Sequence, residues 1–410
     1  MRNFVEDVKP IGECVRLVSG ALGFPWGLRE NILPLGRAFG LRSSRGVTAG
    51  ESMPPFDRSL RDGYAVSSAA TTGASPGSPA FVKIAGEIAM GETPEFEISG
   101  DEAASIATGG MMPRGADAVV MIEDTEASGG WLEVRRAVPR GENVVFEGEE
   151  MRAGGVLVRV GDQIDHARAG LLSAFGIAEI GVADLTVGVI STGDEIVSAE
   201  TSPLPPGRVR DSNTYILGAL CERYGFNFKS YGLAGDSLPE LRSLAGKARD
   251  ECDAVLLSGG SSVGARDHTL SVVESLSGGE ILVRGINMVP GKPTIIGGSA
   301  RDKKLIAGLP GHPMSCAVSA IFVILPLMMA MMGARDEHPG RYLRLPLAED
   351  VHGRTGPDEF IPASVVDGAA RPLAAKSGYV SALMNADGFI RLRPDTETLR
   401  RGESAEIWIW

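Results

Sequence analysis

At 410 residues the chain is too long for one small domain, and at about 100 to 200 residues per domain it holds two to four. Its 43% hydrophobic and 22% charged residues are ordinary globular composition, which excludes wholesale disorder. A formal charge of −12 argues against a general phosphate-backbone binder, and 54 glycines in short clusters without a three-residue period exclude collagen and predict many tight turns or ligand loops.

The opening stretch MRNFVEDVKP carries acids and lacks the apolar run of a secretory signal, which predicts cytoplasmic residence. Residues 1–45 read as two short helices, the second over 32–41 on the spacing of Ile32, Leu33, Leu35 and Phe39. From Gly46 to Glu149 the texture is short β-like runs between Gly and Pro punctuation: FVKIAG, EFEIS, ADAVVMIED and WLEVRRAV. VLVRVGDQI and HARAGLLSAFGI then read as a strand and an amphipathic helix ending at Gly176. Over 183–334 strands and helices alternate (LTVGVIS, SNTYILGALCERYG, FKSYGLA, LPELRSLAGKARD, DAVLLSGG), which predicts a doubly wound parallel sheet with ligands beyond its C-terminal strand ends. Cys316–Met332 is uncharged over 17 residues but contains Ser319 and Pro326 and is short of the about 20 residues that span a bilayer, so it reads as a buried core helix and no membrane is called for. YLRLPLAED, EFIPASVV, FIRLRP and AEIWIW close the chain as a small β-domain over 335–410. The four cysteines, Cys14, Cys221, Cys252 and Cys316, show neither a CxxC pair nor zinc spacing and read as reduced and buried.

Three loops of the α/β segment can carry chemistry. Ser191-Thr192-Gly193-Asp194-Glu195 sets two hydroxyls and two carboxylates around a glycine, although caps and turns use the same residues. Ser258-Gly259-Gly260-Ser261-Ser262-Val263-Gly264 lets backbone N–H groups approach an anion, and it leads to Asp267 and His268 without a Walker ending. Pro290-Gly291-Lys292-Pro293 holds a point charge between prolines, and Gly308-Leu309-Pro310-Gly311-His312-Pro313 opens the apolar helix, a start that favours an anion; stiff turns are the plainer alternative for both.

Taken in order, PPFDRSLRDGYAV, IATGGMMPRGADAVVMIED, STGDE, RDSN, SGGSSVGARD, PGKP and GLPGHPMS resemble the molybdopterin molybdenumtransferases, bacterial MoeA and the gephyrin E domain, over essentially the whole chain. The resemblance implies an elongated α/β multidomain protomer in four parts: 1–45 plus 150–182 as a discontinuous linker and dimerisation domain, a β-rich module over 46–149, a doubly wound molybdopterin-binding domain over 183–334 and a small β-barrel-like domain over 335–410. It implies a homodimer with each site shared between protomers and other molybdenum cofactor biosynthesis proteins as partners, while the negative charge already argues for no nucleic acid. It also implies the reaction: Mg²⁺-dependent cleavage of adenylylated molybdopterin with release of AMP and insertion of molybdate.

Carried onto this sequence, the family pattern puts Asp62, Glu195, Asp236, Asp267 and Lys292 at catalytic positions. It puts Thr108 and Ser315 at functional positions for substrate binding, and the loops read above add Ser191, Thr192, Gly193, Ser258, Gly259, Gly260, Ser262, Gly264, Pro310 and His312. Glu195 and Asp267 are hard oxygen donors suited to Mg²⁺. The chain departs from the pattern at Glu150, at Val289 where the family commonly has lysine, at His312 in place of asparagine, and at Phe360-Ile361-Pro362, which lacks an arginine. These losses at anion-binding positions define a second reading, a paralogue that binds molybdopterin or a nucleotide as carrier, regulator or scaffold without inserting metal.

Overall fold

The N-terminal helix follows directly from its spacing: Cys14, Val18 and Leu22 recur every fourth residue, all are buried, and the helix Ile11–Leu22 ends where Gly23 takes the left-handed conformation at φ 67°. A computed structural model describes residues 8–259, 263–334 and 340–410, the side chains of 263–267 excepted. The chain divides into two compact units, Met1–Gly46 with Val158–Trp410, and Val47–Leu157.

The second helix expected near the N-terminus is instead a strand. Arg29–Pro34 pairs antiparallel with Glu179–Asp184, Ile32 opposite Gly181, and only Leu35–Arg37 coils, as a 3₁₀ turn. Pro34 cannot donate inside a helix, and Ile32 and Phe39 are 56% and 63% exposed, so their spacing marks no buried stripe. A Cβ at Gly181 would lie 2.1 Å from Glu30 Oε1, a contact the flexible Glu30 side chain can relieve by moving.

In the unit Val47–Leu157, six strands are ordered Ala118–Met121, Gly63–Val66, Glu102–Ile106, Ala80–Ile88, Trp131–Val134 and Thr125–Ser128. Successive residues point to opposite faces, so Ala65, Ala104 and Val119 pack in one core while Val66, Ala103, Ala118 and Val120 pack in the other. The expected strand EFEIS makes only a single bridge, Glu97 with Arg114.

The central sheet of the larger unit is ordered Asn227–Ala234, Thr186–Thr192, Ala254–Gly259, Lys304–Leu309, Ile295–Ser299, Ile281–Arg284. The first four strands are parallel, as expected from the strand–helix alternation, but Ile295–Ser299 runs against them and pairs antiparallel with both of its neighbours. The physical reason is the short link between Ser299 and Lys304, which turns through Lys303 at φ 53° and leaves no room for a crossover helix.

Both faces of this sheet are covered. Val187, Val189, Leu256 and Ala307 pack with helix Asn213–Arg223 and the long apolar helix on one side. Ile190, Val255, Leu257 and Ile306 pack with helices Leu238–Glu251 and Val263–Leu276 on the other. The long apolar helix, Pro313–Met332, is almost wholly buried, in keeping with a core helix. It widens into a π turn over Ala320–Ile324 just before Pro326, whose nitrogen has no hydrogen to donate. Five C-terminal strands and Met288–Val289, which pairs with Asp358 and Glu359, form a further six-stranded sheet, and its Phe360 stacks on Phe322 of that helix at 3.9 Å between ring centres. All four cysteines are buried and unbridged, and burial pushes the Cys221 and Cys316 thiols up to about 12.

Candidate functional site

Thr186–Thr192 is the first strand of the parallel set, its successor Asn227–Ala234 lies on one side, and the next, Ala254–Gly259, lies on the other. The chain therefore reverses its winding between Thr192 and Gly259, which stand opposite each other at the C-terminal edge. That crevice is where open α/β sheets bind ligands. The two strands come close only because residue 259 is glycine: at φ 140° a Cβ there would lie 1.9 Å from the Thr192 carbonyl oxygen.

Two adjoining cavities open at this edge. One, of about 390 Å³, is lined by Glu195, Arg210, Asp211, Asn213, Gly259 and His312, among others. The other, of about 220 Å³, is lined by Gly259, Thr269, Pro310, Gly311, His312 and Ser315, among others. Gly259, Gly311 and His312 belong to both.

A buried hydrogen-bond frame holds the loops. Asn213 Nδ2 donates to Ser258 Oγ at 2.7 Å and to the Gly311 carbonyl at 2.8 Å, which ties two strand-end loops to the start of a helix. Asp211 Oδ1 accepts from Ser191 Oγ at 3.0 Å and from the Thr214 N–H at 3.2 Å. Ser191 and Ser258 are fully buried, so their hydroxyls brace the loops. Thr192 is nearly as buried, and its Oγ1 reaches the Gly235 carbonyl at 3.5 Å. Asn213 lines the larger cavity, and its buried Oδ1 has no hydrogen-bond partner among the described residues.

The expected site residues fall into distinct groups. Glu195, Gly259, Pro310, His312 and Ser315 line the cavities. Gly193, at φ 144°, lies under the Glu195 side chain: a Cβ on it would be 2.7 Å from Glu195 Oε2. Asp236 is exposed and is not among the lining residues; its N–H donates to Asp194 Oδ1 at 2.9 Å. Lys292 is exposed beside Pro293, which lines the smaller cavity. Gly264 lies inside the helix Val263–Leu276 rather than in the loop before it. Gly260 and Ser262, and the side chain of Asp267, lie outside the described residues.

Asp211, Asn213 and Thr269 were not singled out by sequence reasoning. The first two belong to the RDSN motif, and a polar run just ahead of a helix start was the available signal; Thr269 had none.

The smaller unit carries its own clasp. Asp62 Oδ1 accepts from the Thr108 N–H at 2.7 Å and from Thr108 Oγ1 at 2.9 Å, which joins two sequence-predicted residues across adjacent strand ends. These bonds, the backbone one first, hold the exposed Asp62 carboxyl below its ordinary value. Because the shift is downward, the clasp is complete above the ordinary carboxylate range and is lost as pH falls through the lowered folded value. Thr108→Val removes one of two donors, so Asp62 is expected to titrate higher than in the parent protein, measured by carboxyl-carbon NMR; an unchanged titration would rule out the hydroxyl contribution.

Whether Mg²⁺ suits the larger cavity is a question of donor chemistry. Glu195 and Asp211, both lining it, are hard oxygen donors. The residues fit a divalent cation, although among the described residues no group of three His, Cys, Asp or Glu side chains is preassembled.

An open α/β sheet with loops gathered around a crevice at its switch point, accompanied by a β-module and a terminal β-sheet, defines a multidomain small-ligand-binding protein. Three family models cover nearly all of it: "MoeA N-terminal region (domain I and II)" over residues 6–176, "Probable molybdopterin binding domain" over 188–330, and "MoeA C-terminal region (domain IV)" over 344–410. A Methanocaldococcus jannaschii chain named in connection with molybdopterin biosynthesis is 32% identical over 375 residues, 90% of this chain and 89% of that one. A Staphylococcus epidermidis molybdopterin molybdenumtransferase is 30% identical over 367 residues, 88% of this chain and 86% of that one. The crystal structure of the molybdopterin biosynthesis MoeA protein from Pyrococcus horikoshii superposes with a TM-score of 0.83 at 26% identity, covering 98% of this chain and 100% of that one. The chain belongs to the MoeA family, with a role in molybdenum cofactor biosynthesis, and its α/β multidomain fold is the one the motifs implied.

Proposed function

We propose that this chain is a molybdopterin molybdenumtransferase that cleaves adenylylated molybdopterin, releases AMP and inserts molybdate at the dithiolene sulfurs. The observation that supports this reading is the pair of adjoining cavities at the switch point, lined between them by Glu195, Asp211, Gly311, His312 and Ser315. Backbone and hydroxyl donors there suit the phosphates, and Lys292 supplies a point charge beside the smaller cavity. When bound, Mg²⁺ would neutralise charge on the phosphoanhydride oxygens, with Glu195, Asp211 and Asp267 as its holding residues. Asn213, by fixing Ser258 and Gly311, keeps the loops preorganised.

The same reading divides the chain into 1–45 with 150–182, 46–149, 183–334 and 335–410, in a cytoplasmic homodimer where the Asp62–Thr108 clasp of one protomer serves the site of its partner. Sedimentation as a monomer at micromolar concentration would contradict that assembly.

Lys292→Ala tests the site. A charge on an already anionic ligand assists ground state and transition state alike, so affinity for adenylylated molybdopterin and the rate of AMP release are both expected to fall, each by about 10- to 100-fold. Unchanged affinity, measured by calorimetry, would remove Lys292 from the site.

A further inference from the structure

His312 occupies the residue just before the helix Pro313–Met332, the position where a side chain ordinarily accepts from the helix's first free N–H groups. Its ring does not do so. The Met314 N–H donates instead to the carbonyl of Ser377, at 3.0 Å, and Ser377 comes from the terminal β-domain. The same serine uses its other polar group on the histidine, with Oγ 3.0 Å from His312 Nδ1. Ser377 thus takes over the capping role and holds the imidazole. Gly378 and Val380, which follow it, line the larger cavity together with His312.

We propose that Ser377 is a positioning residue for His312: its hydroxyl donates to Nδ1, so the ring proton sits on Nε2 and is presented to an anionic phosphoryl oxygen of the ligand. The inference rests on the function proposed above and extends it, because it makes the terminal domain a contributor to the switch-point site. Three observations converge on it. His312 lines both cavities, so the residue stands where they adjoin. Nδ1 is engaged by Ser377, which leaves Nε2 as the nitrogen available to a ligand. The segment that fixes the ring is itself anchored by the backbone bond to Met314, so the hydroxyl is held at a defined place. An asparagine at 312 could cap the helix and would not need Ser377, whereas an imidazole needs an outside group to set its tautomer.

The test uses the full-length protein and the variants Ser377→Ala, Ser377→Thr and His312→Asn. Long-range proton–nitrogen NMR, with the His312 signal assigned by its loss in His312→Asn, reads the tautomer. The parent and Ser377→Thr are expected to hold the proton on Nε2, and Ser377→Ala to show a mixture. Inorganic pyrophosphate is the anion probe: its addition should perturb Nε2 in the parent, with Ser377→Ala requiring about fivefold more, the scale of one lost hydrogen bond. In AMP release, Ser377→Ala should raise KM for adenylylated molybdopterin by about the same factor, with kcat less affected and Ser377→Thr restoring the parent value. A Ser377→Ala protein with the parent's tautomer and the parent's response to pyrophosphate would overturn the proposal even if AMP release were normal. Absence of AMP release from the parent, with the tautomer and pyrophosphate results as expected, would support the His312–Ser377 pair and count against the transferase reading instead.

Discussion

Glu195→Gln is expected to lower AMP release at least about 100-fold, the upper end of what loss of a supporting group costs a metal site, while leaving the fold intact. The substitution keeps the shape of the side chain and removes only its charge. Glu195 is exposed on the loop after the first parallel strand and lies over Gly193 at the rim of the larger cavity, so no buried contact depends on it. Gln is a weaker donor to a hard cation, and the effect should appear in turnover more than in ligand affinity. Rates at saturating substrate and Mg²⁺, with thermal unfolding as a control, check this. Parent-like turnover would show that Glu195 neither holds the cation nor touches the phosphates.

Gly259→Ala is expected to be the most damaging single methyl in the site. Its Cβ would lie 1.9 Å from the Thr192 carbonyl oxygen and 2.8 Å from the carbonyl carbon, and the residue stands at φ 140°. Strand backbone cannot move aside without breaking the parallel pairing that forms the crevice. A loss above about 3 kcal/mol in urea unfolding is expected, together with loss of ligand binding. Gly232→Ala is the control: its φ is 88°, but no atom lies within 4 Å of a Cβ there, so it should cost only about 1–2 kcal/mol. Equal costs for the two variants would mean that the close approach of the strands is not what residue 259 must permit.

Much of this architecture is legible in residue order because its signals are local. The strands LTVGVIS and DAVLL alternate with helical stretches, and the glycines at 193 and 259 mark where strands end at the crevice. Signals that depend on distant chain were not legible. Arg29–Pro34 pairs with Glu179–Asp184, a partner that no short window contains, and its apolar residues mimic helical spacing. The antiparallel edge of the central sheet follows from a short turn through Lys303, which alternation alone does not announce. In the site, Glu195 and His312 stand out by composition and motif, whereas the roles of Asp211 and Asn213 emerge only when Ser191, Ser258 and Gly311 are brought beside them. Ser377 carries no local signature at all. Its role exists only through the terminal domain reaching His312 and Met314.

The most direct test of the central claim is to incubate the purified full-length protein with adenylylated molybdopterin, molybdate and Mg²⁺ and to quantify AMP and molybdenum cofactor in the same samples. Release of AMP in step with cofactor formation, abolished by a chelator and by Glu195→Gln, is the result predicted for a transferase working at the switch-point crevice. Tight binding of adenylylated molybdopterin with neither AMP nor cofactor formed, at any Mg²⁺ concentration, would contradict it and identify a protein that holds the ligand without transforming it.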